Sequence, residues 1–118
     1  MSNEAKNPGE VTLCVSNGYK KKFYLNENFN QLPQSIRDEL KIMCVLYTED
    51  VGGILELVFD EDGTLEFKTS CEENDFLYDE IGSVLKIKQY QNEKRDLLEA
   101  LEMFYKIIYL GEGFDEED

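Results

Sequence analysis

The side chains best placed to do chemistry in this chain are carboxylates and thiols. Asp60-Glu61-Asp62-Gly63-Thr64-Leu65-Glu66 sets acids at alternate positions before a glycine, part of a calcium loop of the D-x-D-x-D-G type. Aligning Gly63 with the loop glycine puts Val58 at the first ligand position and Thr69 at the twelfth, where the ion needs carboxylates. A hairpin turn accounts for the same residues without an ion. Cys14, Cys44 and Cys71 include no C-x-x-C pair, zinc normally takes four ligands, and the chain has no histidine to complete the set. The missing histidine also removes the commonest base for a serine or cysteine nucleophile. Gly52-Gly53 lacks the third glycine, lysine and following helix of a phosphate loop. With 26 acidic residues, no single carboxylate pair is informative. No catalytic residue, cofactor or metal site is therefore expected, and a carboxylate- or metal-dependent enzyme is the least favoured class.

Charge narrows the partners. Twelve basic against 26 acidic residues leave a net charge of −14, which repels nucleic acid phosphates and anionic lipid headgroups. Neither nucleic acid nor membrane is an expected partner. Lys20, Lys21 and Lys22 are the only basic cluster, and their place at a strand start suits edge protection against aggregation. The 118 residues suffice for one domain with its own core, and an apolar share of 42% is close to that of an ordinary globular protein. An odd cysteine count without an apolar leader reads as reduced thiols in a cytoplasm.

The elements that would position these groups centre on residues 34–59. Ile36, Leu40, Met43, Cys44 and Tyr47 follow one face of a helical period. Pro33 suits the first turn, with a start at Ser35-Ile36-Arg37-Asp38 as the alternative. Ile42 to Tyr47 is apolar all round; a strand is open there, but continuity with SIRDELK favours helix. Gly52 or Gly53 ends it. Before it, Val11, Leu13 and Val15 alternate with Thr12, Cys14 and Ser16 as a half-buried strand. Asn17-Gly18 then predicts a tight hairpin turn into a second strand over 19–25, and 26–32 is a loop. After the helix, 54–59 and 64–69 predict a hairpin that sets Phe59 opposite Leu65, Leu57 opposite Phe67 and Glu56 opposite Lys68. Its loop is Glu61-Asp62-Gly63, with glycine at the left-handed position.

A further helix starts at Asn74 or Asp75, with Phe76, Leu77, Ile81, Val84, Leu85 and Ile87 as its apolar side and Gly82 inside, where another backbone would approach. The polar stretch 88–96 predicts a bend before a last helix carrying Leu97, Leu98, Leu101, Phe104, Tyr105 and Ile108. Glu102 and Lys106 form an i,i+4 pair there, and Gly111 stops the helix. The expectation is an α+β domain over 10–111, a four-stranded antiparallel sheet from two β-hairpins with helices packed on it in ββαββαα order. Residues 1–9 and the acidic 112–118 are read as disordered tails.

Two segments, Ile42 to Tyr47 and Met103 to Leu110, hold more apolar residues than one packed face consumes. Met103, Ile107, Tyr109 and Leu110, with Val45 and Leu46 as second candidates, are therefore the candidate interface. A non-enzymatic interaction module that forms a homodimer is the leading function, and an acidic chaperone for a basic or aggregation-prone client is the alternative.

The run DELKIMCVLYTEDVGGILELVFDEDGTLEFK, with FLYDEIGSVLKIK and the closing YLGEG, resembles a family of small uncharacterised bacterial proteins over about residues 10–113. The resemblance implies a bacterial cytoplasmic origin and a domain of unknown function; it carries over no site residues. The hairpin–helix–hairpin–helix order is also similar to roadblock and longin-type modules, which often dimerise, although the third strand of their second half is missing here.

Overall fold

A computed structural model describes residues 9–111. The tails expected at 1–9 and 112–118 lie outside these, apart from Gly9. The strands are β1 (Val11–Asn17), β2 (Lys22–Leu25), β3 (Ile54–Phe59) and β4 (Leu65–Ser70); the helices are α1 (Gln34–Val51), α2 (Glu80–Glu93) and α3 (Arg95–Ile108). All pairings are antiparallel, in the order β2-β1-β3-β4, so the two hairpins join along β1 and β3. This is the expected α+β fold in the expected element order.

The central helix forms where its apolar period predicts. Pro33 is its cap residue and Gly52, at a φ of 92°, ends it. Leu40, Met43, Cys44 and Tyr47 meet Leu55, Leu57 and Phe59 of β3 and Leu97, Leu98, Leu101 and Tyr105 of α3 in one core. Each large side chain so buried contributes about 1.5–3 kcal/mol. At one end the core becomes a stack of rings: Phe59 lies 4.2 Å from Tyr105, and Tyr105 4.9 Å from Tyr109.

The β3–β4 hairpin has the predicted register throughout, Glu56 opposite Lys68 included. The β1 strand departs from its alternation. Thr12 pairs with Val58 but Cys14 pairs with Leu57, leaving Leu13 as the extra residue of a β-bulge. The bulge shifts the phase by one, so Leu13, Cys14 and Ser16 are all buried while Val15 is only half-buried. The Asn17-Gly18 turn is also not the tight one expected. Asn17 faces Lys22 across a longer loop, Gly18–Lys21, because Asn17 Oδ1 accepts the N–H groups of Tyr19 and Lys20. Gly18 N–H instead crosses to Gly53 O at 2.8 Å, too close an approach for a β-carbon. β2 is consequently shorter than predicted and is an edge strand that opens on Lys22.

Lys94 separates α2 from α3, so the polar stretch does hold a bend. The start of α2 differs from the expected one: the helix is capped by neither Asn74 nor Asp75 and begins at Glu80. Asp79 caps it by accepting Gly82 N–H at 2.8 Å. A β-carbon at Gly82 would meet the Asp79 carboxylate of that cap rather than a neighbouring backbone, so the carboxylate would have to shift. Glu102, expected to pair with Lys106, accepts Leu65 N–H at 2.8 Å and so ties α3 to β4.

Candidate functional site

The segment that leads into α2 is pinned at its ends and bare in its middle. Tyr19 OH donates to Asp75 Oδ2 at 2.5 Å and accepts Glu72 N–H at 2.9 Å. The same hydrogen bond to Asp75 raises the Tyr19 phenol above its ordinary pKa. Tyr78 packs against Gly53, where a β-carbon would lie 2.7 Å from its ring. Between these anchors Leu77 N–H bonds to Asp75 Oδ1, and the side chains of Phe76 and Leu77 stand 90% and 92% exposed.

α2 follows directly and carries a second set of exposed apolar residues. Ser83, Ile87 and Tyr90 share one face and turn toward α1: Tyr47 OH and Ser83 Oγ lie 2.6 Å apart, and Tyr90 is buried. Burial, the largest cause, raises the pKa of the Tyr47 phenol. The ion pairs Lys86–Asp50 at 2.6 Å and Lys94–Glu39 at 3.5 Å run the helix antiparallel to α1. Ile81, Val84 and Leu85 occupy i, i+3 and i+4 on the opposite face and are exposed, Ile81 by 75%. Of the apolar side read from the sequence, Ile81, Val84 and Leu85 are thus turned outward, and Ile87 packs against the core. The α2 sequence carries two stripes, and period alone does not say which one is buried. The small residue among the larger ones, Ser83 flanked at i+4 and i+7 by Ile87 and Tyr90, is the signal for the inner stripe.

The interface candidates fall in two places: Met103, Ile107, Tyr109 and Leu110 on and just after α3, and Val45 and Leu46 on α1. Met103 is exposed and Ile107 half-buried on the outer side of α3. Tyr109 is engaged within the chain: its ring stacks on Phe29 at 5.2 Å and its hydroxyl donates to Asn28 O at 3.2 Å. Leu110 lies beside the Gly63 loop. Leu46 is exposed on α1, and Val45 forms part of a cavity wall under the β1–β2 loop.

In the acidic turn, Asp60 Oδ1 accepts the N–H groups of Asp62 and Thr64, both at 2.9 Å, and Gly63 has the left-handed φ of 87°. Among the described residues no three Cys, Asp or Glu side chains are grouped to hold a metal ion. Cys14 and Cys44 touch at 3.8 Å, both buried, while Cys71 is exposed. No helix among the described residues is long and apolar enough to cross a membrane.

The model of a family of unknown function, DUF6145, matches residues 10–113, nearly all of the described chain. No curated protein and no solved structure matches.

Proposed function

The chain belongs to this family of unknown function, and we propose that it acts as a non-enzymatic protein-interaction module of the cytoplasm that pairs with a second copy of itself. The observation that carries the reading is the outward face made by Phe76, Leu77, Ile81, Val84 and Leu85. Contiguous exposed apolar side chains of this size are interface features in globular proteins, and an aromatic is a usual anchor.

A second copy fits this face better than an unrelated basic client. Acidic Asp79 and Glu80 stand at the start of α2, and Lys88 lies about two turns further along, beyond Val84 and Leu85, all exposed. Antiparallel packing of two α2 helices about a two-fold axis sets the acidic end of each against the lysine of the other. The acidic chaperone reading draws on Glu72 and Glu73 beside the patch, and it expects no self-association.

Light scattering coupled to gel filtration should give about twice the 13.7 kDa chain mass at tens of micromolar. Leu77→Glu combined with Leu85→Glu should give a folded monomer by circular dichroism, whereas Met103→Glu should leave the dimer intact. Dimerisation must also persist in Cys71→Ser, which excludes a disulfide between exposed thiols. A folded monomer of the unmodified chain under these conditions ends the proposal.

A further inference from the structure

On the other side of α1, the Gly18–Lys21 loop overhangs the helix and leaves a cavity of about 270 Å³. Its wall brings together charges that are distant in sequence. Lys21 and Lys22 come from the hairpin, and Lys41 comes from α1 with a single carboxylate, Glu49; Phe23 and Val45 add an apolar side. Three ammonium groups against one carboxylate leave a local charge of +2, in a chain whose total is −14.

These three lysines form no ion pair among the described residues, whereas Lys68, Lys86 and Lys94 each hold a carboxylate. With 26 acids in the chain, unpaired cations gathered at one cavity are unusual, and their mutual repulsion favours an added anion. Lys21 is also the only described non-glycine residue with a positive φ, 55°, a strained conformation of the kind that clusters at ligand sites.

The cavity floor is already satisfied. Ser16 and Thr48 hydroxyls are 2.8 Å apart, and Thr48 donates back to Val45 O at 3.2 Å. Recognition therefore falls to the ammonium groups, with Phe23 and Val45 against the ligand's body. A cavity of this volume is at the small end for ligand sites. Beyond a Debye length of about 8 Å the acidic surface dominates, which disfavours an extended polyanion and leaves a compact one attracted.

We infer that this cavity binds a small organic phosphate monoester, a dianion that matches the local +2, through Lys21, Lys22 and Lys41. This site is independent of the α2 face.

The test is titration of the isotope-labelled full chain with phenyl phosphate, followed by amide chemical shifts. Saturable shifts are expected at Gly18, Lys21, Lys22 and Thr48, with inorganic phosphate binding more weakly because it lacks the apolar body. Lys22→Ala with Lys41→Ala should weaken binding by about tenfold or more, Glu49→Gln should strengthen it, and Lys20→Ala, outside the cavity, should change it less than about twofold. All these side chains are exposed, so the variants are expected to fold. Absence of saturable shifts up to about 20 mM ligand overturns the inference. So does a loss on Lys20→Ala equal to that of the double variant, which would mean diffuse surface attraction only.

Discussion

Cys14 shows what a single register slip does to a side chain. Strict alternation places it outward with Thr12 and Ser16, but the bulge at Leu13 turns it inward onto Cys44, whose core position was legible from its helical stripe. No residue type in VTLCVSN announces a bulge, so that error follows from the two-residue period itself. Burial holds the Cys14 thiol well above its ordinary value, with the Cys44 contact adding to it. In the native protein a disulfide-exchange reagent should therefore label one thiol, Cys71, and all three only after unfolding. Rapid native labelling at Cys14 would contradict the packing. The linkage has a definite sign. A folded pKa raised above the unfolded one gives stability that is complete below about pH 8.5, where the unfolded thiol is still protonated, and is lost as pH rises further. Burial raises Tyr47, Tyr90 and Tyr105 in the same direction. Their contribution begins to fall above about pH 10, so denaturant midpoints should decline from the Cys14 range upward and steepen there.

At the scale of elements, legibility followed the strength of local signals. The β3–β4 hairpin was readable to the residue because Phe59–Leu65, Leu57–Phe67 and Glu56–Lys68 all demand one register and Gly63 suits the loop. α1 was readable because one stripe outweighs the rest. The start of α2 was not, since Asn74, Asp75 and Asp79 are all good caps and the choice is made by tertiary bonds from Tyr19 to the 72–75 turn. The cap that wins makes an unusual mutational prediction. Glycine in a helix normally costs about 1 kcal/mol against alanine, so Gly82→Ala should stabilise by propensity alone. Here the new β-carbon collides with the Asp79 carboxylate. Gly82→Ala should therefore change stability little, the loss of a cap worth about 1 kcal/mol offsetting the propensity gain, while Asp79→Ala alone should destabilise by about 1 kcal/mol. In the Asp79→Ala background Gly82→Ala should become stabilising. A double-mutant cycle from urea midpoints measures this, and additivity of the two changes would refute the cap.

For the molecule as a whole, the class was legible but the surface was not. Sequence patterning identifies apolar residues; only the assembled helices decide that Tyr109 closes a ring stack while Phe76 and Leu77 face solvent. The net charge then constrains how that face can be used. Two chains of −14 brought to a centre separation of about 35 Å repel by on the order of 20 kcal/mol in water without screening. Screening removes most of this at a Debye length of about 8 Å, near physiological salt, but much less at about 30 Å, near 0.01 M. The contacts that the proposed two-fold would form between Glu80 and Lys88 would be exposed and worth about 0–1 kcal/mol each, too little to reverse the trend. Self-association through α2 should therefore tighten as sodium chloride is raised from about 0.01 M to about 0.15 M, by tenfold or more in the dimer dissociation constant, and then level off. Sedimentation equilibrium at each salt concentration reads this directly. A dimer that weakens over the same range would be held by charge attraction, and the apolar α2 face would not be its interface.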